Sequence, residues 1–230
     1  MLSAAPADAF NHGNALYQQG DYLGAADAYH SALQAGPSYD ALYNLGNAQF
    51  KSNQIGRAIA SYQRARYLRP RDADLAANLA FARAYRVDKV PATTGPVELL
   101  LDRAFHLLSG REAMLLAAAC FVLTALLLSL LIVFRRRALL YLATPLFLLF
   151  AYGALTAGVW HAYVKSRPAV IIVPEVSALS GPGEDYKQIL LAHDGSEALV
   201  REARGDWLLV QLPGGAGGWV RQEAVEMVFP

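Results

Sequence analysis

Residues 113–160 read AMLLAAACFVLTALLLSLLIVF, then RRR, then ALLYLATPLFLLFAYGALTAGVW. The first run, Ala113 to Phe134, carries no charge, and as a helix it reaches about 33 Å, enough to cross a hydrocarbon layer of roughly 30 Å. The second uncharged run, Ala138 to Trp160, follows after only Arg135, Arg136 and Arg137. So short a link leaves room only for an antiparallel hairpin. Buried soluble helices of this length and purity are rare, so two transmembrane helices are expected. Composition agrees: 55% of the chain is hydrophobic, above the roughly 45–50% of soluble domains, and the excess lies in this stretch. No acidic or basic residue falls inside either run, which offers no ion path and argues against a transporter.

Positive charge in a short loop resists translocation, so the triple arginine is expected on the cytoplasmic side, with both flanking segments on the other. Arg103, Arg111, Lys165 and Arg167 on the opposite flanks work against that bias. The orientation also requires an export signal, yet the first ten residues show neither a basic segment nor a long apolar core. The start, Met1 to Ala7, reads equally as a stub left by cleavage or a frayed terminus. Trp160 and Tyr163 sit where an aromatic belt would anchor the second helix, and Pro145 is placed to kink it. Ahead of the hairpin, residues 87–112 read as a linker (Val90 to Pro96) and an amphipathic juxtamembrane helix. Its Leu100, Leu101, Ala104, Phe105 and Leu108 share a face opposite Glu98, Asp102 and Arg103. Lying on a bilayer surface and packing on the preceding helix are both open to it. Ser109 and Glu112 form a capping box where the apolar run begins.

The N-terminal segment repeats itself every 33 residues: Gly13 returns as Gly46, Ala25 as Ala58, Tyr29 as Tyr62, Ala32 as Ala65 and Pro37 as Pro70. Such a period means stacked supersecondary units. Small residues recur where two helices approach closely, a tyrosine fills the space between them, and a proline stops the second helix. Gly20 and Asn53 fall at the turn inside each hairpin, where a left-handed backbone is needed.

These residues resemble the tetratricopeptide repeat. Tyr43-Asn44-Leu45-Gly46-Asn47-Ala48, then Ala58, Tyr62, Ala65 and Pro70, stand at that family's spacing, and the first unit matches at Gly13, Tyr17, Gly20, Tyr22, Tyr29, Ala32 and Pro37, with His12 at its early leucine position. A third unit starts at Ala73 with Leu75, Asn78, Leu79 and Ala80 and stops near Arg86, as a capping helix would. Residues 6–86 are thus expected to form two full repeats and a cap. The resemblance implies a concave partner-binding groove lined by Asn11, Asn14, Tyr17, Gln18, Asn44, Asn47, Lys51 and Asn78. Asn14 and Asn44 match two asparagines that hold a peptide carboxylate in chaperone-tail-binding members. The cationic partners of that clamp are replaced by Phe10, Asp74 and Asn78, so a terminal carboxylate ligand is not expected. Service to the repeat's own backbone is the alternative role for these asparagines.

After Arg167-Pro168 the pattern changes to short alternating segments, 169–174, 197–201, 207–212 and 218–221, punctuated by Gly, Pro and Asp, as in a small β-barrel. Ser177-Ala178-Leu179-Ser180-Gly181-Pro182-Gly183, Asp194-Gly195, Gly205-Asp206-Trp207 and Gly217-Gly218-Trp219-Val220 resemble a bacterial SH3-like domain over residues 168–228. That resemblance implies peptide or cell-wall binding and makes Tyr186, Trp207 and Trp219 candidates for an aromatic-lined groove. In so small a barrel Trp219, within a strand, suits packing better than contact, and Trp207, next to a turn, is the better contact candidate.

The chemistry these segments offer is sparse. Twenty basic residues stand against 19 acidic, giving no electrostatic case for nucleic acid. The single cysteine, Cys120, excludes an internal disulfide and a thiolate metal cluster. His12, His30, His106, His161 and His193 lack metal-ligand spacing, Asp72 and Asp74 open a helix, and Gly214, Gly215, Gly217 and Gly218 suit a turn better than a phosphate cradle. No catalytic residues, cofactor or metal are expected. The order of repeats, two membrane helices and SH3-like tail is similar to the E-type family of the bacterial aerotolerance (Bat) operon. That similarity implies an inner-membrane scaffold whose partners are other membrane proteins, among them the von Willebrand A-type Bat components. The alternative is a cell-wall anchor or sensor that binds peptidoglycan through its tail.

Overall fold

The computed structural model describes residues 6–89 and 95–229. Val90 to Thr94 of the expected linker, and the start of the chain, lie outside these residues. The chain divides into two compact units, Met1–Thr93 with Ser166–Pro230, and Thr94–Lys165. The fold class is the expected one: an all-helical repeat region, two long apolar helices and an all-β tail.

In the first unit, α1 (Pro6–Gln18) and α2 (Tyr22–Leu33) form one hairpin, α3 (Tyr39–Lys51) and α4 (Ile55–Leu68) a second, and α5 (Ala73–Ala84) follows alone. Glycine sets the closeness of each hairpin. A Cβ on Gly13 would lie 2.7 Å from the Tyr29 ring, and one on Gly46 would lie 2.5 Å from the Tyr62 ring. Gly20 (φ 82°) and Asn53 (φ 61°) take the left-handed backbone that their turns require. Asp21 accepts the Gly24 amide to cap α2, and Asp72 accepts the Leu75 amide to cap α5. Ser38 before α3 and Gln54 at the N-cap of α4 make no side-chain cap bond.

The tail is a seven-stranded antiparallel sheet of β1 (Pro168–Ile171), β2 (Glu175–Leu179), β3 (Gln188–His193), β4 (Glu197–Arg204), β5 (Trp207–Gln211), β6 (Gly217–Arg221) and β7 (Val225–Met227), with strand order β3-β2-β6-β5-β4-β1-β7. Every strand contributes to one core, through residues such as Ile171, Ala178, Ala192, Val200, Val210, Val220 and Val225. A closed barrel is the expectation; the sheet is instead open, with β3 and β7 at its edges. Both edges are guarded rather than paired, since unpaired edges invite aggregation. Arg64 donates to the carbonyls of Met227 and Val228, and Asp88 accepts the His193 amide at 2.9 Å. A register shift near Ala178 further interrupts the β3 edge.

Those contacts also join the sheet to the repeats, so the two modules read separately in the sequence make one unit. Val170 and Val228 are fully buried in the same core as Ile59, Leu75 and Leu79, where each buried aliphatic side chain contributes about 1.5–3 kcal/mol. Glu197 on β4 receives Arg83 at 2.7 Å, Arg86 at 2.8 Å and the Gln63 amide. Asp194 accepts the Gly56 amide at 3.0 Å and so supplies, from the sheet, the cap missing at the start of α4. Gly56 has to be glycine for this, as a Cβ there would lie 2.1 Å from the Ile171 carbonyl oxygen.

In the second unit, α6 (Pro96–Phe105) precedes the long helices α7 (Gly110–Phe134) and α8 (Ala138–Lys165). The Ser109–Glu112 capping box is present. Arg135 ends α7 in the left-handed conformation, φ 50°. At 1.5 Å per residue these helices span about 37 and 42 Å. Both are long and apolar enough to cross a membrane, and only 17% and 11% of their most apolar stretches are buried, unlike the core helices of a soluble protein. Small residues set their packing: Ala113, Ala117 and Cys120 on α7 are buried with Ala143 and Gly153 on α8, and a Cβ on Gly153 would lie 2.9 Å from the Ala113 carbonyl oxygen. Trp160 departs from the expected outward-facing belt. It is 1% exposed, with its indole N–H donating to the Leu108 carbonyl at 2.8 Å, so it packs within the unit. The Tyr152 hydroxyl likewise donates to the Ala104 carbonyl at the end of α6.

Two carboxyls at the junction of repeats and sheet titrate in opposite senses. Burial alone would raise Asp88, but bonds from the Ser196 hydroxyl and the His193 amide and ring outweigh it and hold the group below the ordinary carboxylate range. Burial raises Asp194, against the pull of the Gly56, Ile55 and Gly195 amides. Stability from Asp88 is therefore complete above the unfolded carboxyl pKa of about 4 and is lost as pH falls through its depressed native value; stability linked to Asp194 is present in acid and declines as pH rises through its raised value. Thermal unfolding between pH 3 and 7 should show a shallower acid loss for Asp88→Asn and a steeper one for Asp194→Asn. Gly56→Ala should lower stability by at least about 1–3 kcal/mol, with repeats and sheet destabilised together in one transition; a sheet transition left unmoved would contradict their joint packing.

Candidate partner-binding site

The first helix of each repeat presents its residues to a shared concave side, where two adjoining hollows lie. One is lined by Asn14, Tyr17, Gln18, Tyr29, Asn44 and Asn47. The other, of about 330 Å³, is lined by Tyr17, Asn47, Phe50, Lys51, Tyr62, Asn78 and Phe81. Seven of the eight groove residues expected from the sequence therefore come together. Asn11 is exposed on α1 and lines neither hollow.

The asparagines form a ladder with the period of the repeat. Asn14 Oδ1 accepts the Tyr29 hydroxyl at 2.8 Å and the Asn44 amide at 3.2 Å. One repeat later, Asn47 Oδ1 accepts the Tyr62 hydroxyl at 2.8 Å and the Asn78 amide at 3.0 Å. Asn78 also reaches the Tyr43 hydroxyl at 2.9 Å. Each tyrosine lies 15 residues beyond its asparagine, so the second helix of a repeat is tied to its first, and each first helix to the next. Burial raises the pKa of Tyr29 and Tyr62, keeping both hydroxyls protonated as donors. Of the two roles open to these amides, holding the repeat together occupies the oxygens of Asn14 and Asn47 and the NH2 groups of Asn44 and Asn78.

An aromatic cluster at the end of the groove was not legible as a site. Phe50, Phe81 and Tyr85 pack ring on ring, with centroids 5.1–5.4 Å apart, and Phe81 and Tyr85 remain 55% and 59% exposed. The available signal was the offset: Phe81 follows Phe50 by the same interval that separates Asn78 from Asn47.

On the sheet, Trp207 and Trp219 share the face away from the core, because Leu208 and Val220 between them point inward. Neither ring is bare. Arg221 lies 4.5 Å above Trp207, and Arg204 lies 5.4 Å from Trp219, which is 7% exposed. Arg221 is in turn paired with Glu184. Tyr186 stands over Gly181 and Gly183 and is 51% exposed. Among the described residues no group of three or more His, Cys, Asp or Glu side chains could hold a metal ion. His193 is engaged with Asp88 at 2.9 Å.

Truncation separates structural side chains from free ones. Asn47→Ala leaves the Tyr62 hydroxyl without its acceptor and should cost about 1–3 kcal/mol in urea unfolding, whereas Lys51→Ala, on an exposed side chain, should stay within about 0.5 kcal/mol.

Comparison with protein families reaches the helical region. Residues 10–73 match the family model of the tetratricopeptide repeat, a span running from α1 to the start of α5. No curated protein matches the chain. The N-terminal helices are accordingly a tetratricopeptide repeat region, of a family whose members typically bind proteins and perform no catalysis.

Proposed function

We propose that the chain is a non-catalytic scaffold of the bacterial inner membrane, anchored by α7 and α8, that binds partner proteins through the groove of its repeats. The observation that carries this reading is the place of the apolar hairpin in the chain: it is inserted between two stretches, before residue 94 and after residue 165, that fold into one unit. Two crossings return the chain to the side it left, as that shared fold requires, whereas a single crossing would separate the halves. The arginine turn, Arg135 to Arg137, then stays in the cytoplasm by the positive-inside rule, and the repeats and sheet face the periplasm. Confinement to a bilayer raises the effective concentration of tethered partners.

The architecture supports a role of the aerotolerance (Bat) E-type, with other membrane proteins, including von Willebrand A-type components, as partners in envelope stress tolerance. The tail's likeness to SH3-like domains belongs to this proposal as well. Peptidoglycan binding by the tail is supported less, since arginines lie over both of its sheet-face indoles and leave Tyr186 as the exposed aromatic.

A photo-crosslinking amino acid at Gln18, in the groove, should trap a membrane protein in cells, and the same group at Asp27, exposed on α2, should not. Equal adducts from the two positions, or none from Gln18, would remove the groove from the proposal. A phosphatase active only outside the cytoplasm should work when fused after Phe229 and fail when inserted at Arg136; the reverse pattern would invert the assigned topology.

A further inference from the structure

We infer that the groove selects an extended segment in which a large apolar side chain stands close to an acidic one; this rests on the groove being the partner site. Three features in and beside the two hollows lead there. The ladder spends the side-chain oxygens of Asn14 and Asn47 on two bonds each, which leaves their NH2 groups, one per repeat, as donors toward the backbone carbonyls of an incoming chain. The Phe50, Phe81 and Tyr85 rings already pack against one another, so the exposed faces of Phe81 and Tyr85 form a stiff apolar platform. Covering such rings releases water at little cost in side-chain entropy, which is why aromatic anchors dominate interface energetics.

Lys51 decides the charge. It is exposed at the C-terminal end of α3, next in sequence to Phe50, and no carboxylate pairs with it among the described residues. No acidic side chain lines either hollow. A ligand acid within reach of the platform would thus meet an unpaired ammonium and no repulsion, while a basic one would meet only like charge. With a single cation in the groove, an acidic side chain fits and a two-point clamp on a terminal carboxylate does not.

The test is a phage-displayed random peptide library selected on the full-length protein in detergent micelles, with the enriched peptides then titrated by fluorescence anisotropy. The expected consensus pairs Asp or Glu with Phe, Trp or Leu; Phe81→Ala should weaken the best peptide about tenfold, and Lys51→Glu should reverse its preference between acidic and basic versions. Both variants lie on exposed side chains, and an unchanged circular dichroism melt would confirm that each is folded. Enriched peptides that lack the acid or the apolar residue, or that are indifferent to Lys51→Glu, would overturn the specificity and leave a groove of different chemistry. Peptides that compete with no groove variant, or no enrichment at all, would overturn the groove itself as a peptide site.

Discussion

Helix α4 begins on a carboxylate that its own neighbourhood does not provide. Its first amides are orphan donors, Gln54 does not cap them, and Asp194 reaches the Gly56 amide from a strand turn 138 residues away. The contact is possible because Gly56 has no Cβ to strike the Ile171 carbonyl. Around this point Glu197 gathers Gln63, Arg83 and Arg86, Asp88 gathers His193 and Ser196, and Arg64 covers the carbonyls that follow β7. A charge removed from water this far is tolerated only when its bonds are supplied. The second repeat and the sheet therefore complete each other: one lends donors, the other acceptors.

That closure places a strong condition on the hairpin between them. The chain leaves one folded unit to enter α7 and α8 and returns to that unit after Lys165, with the three-arginine turn between the two helices. The packing of the pair uses Ala113, Ala117, Cys120 and Gly153, where small side chains let the backbones approach. Most of their remaining apolar surface faces outward, which a lipid solvent accommodates and water does not. The repeats are held by the sheet rather than by a further repeat.

The groove shows how a repeat protein divides its polar atoms. Asn14 and Asn47 spend their side-chain oxygens on a tyrosine hydroxyl of the same hairpin, and Asn44 and Asn78 spend their NH2 groups on the asparagine of the preceding helix pair. The apolar contribution comes from aromatic residues at one end, and the charge from Lys51. On the sheet, by contrast, arginines shield the indoles that composition alone would offer as contacts.

The sequence by itself determined whatever depends on near neighbours and fixed periods. The recurrence from Gly13 to Gly46 and from Tyr29 to Tyr62 dictated the hairpins; Gly20 and Asn53 their turns; Ser109 with Glu112 the start of α7; and the arginines between two uncharged runs the apolar hairpin. Each of these is set by backbone sterics, by a bond spanning a few residues, or by the length of an uncharged run. Only the tertiary structure decided that Asp194 caps α4, that Glu197 pairs with Arg83 and Arg86, that the β tail stays open, that Trp160 turns inward, and that Phe81 completes a platform with Phe50. These depend on which surfaces dock, and docking joins groups dozens to more than a hundred residues apart through hydrogen bonds and close packing that leave no period and no local motif in the chain.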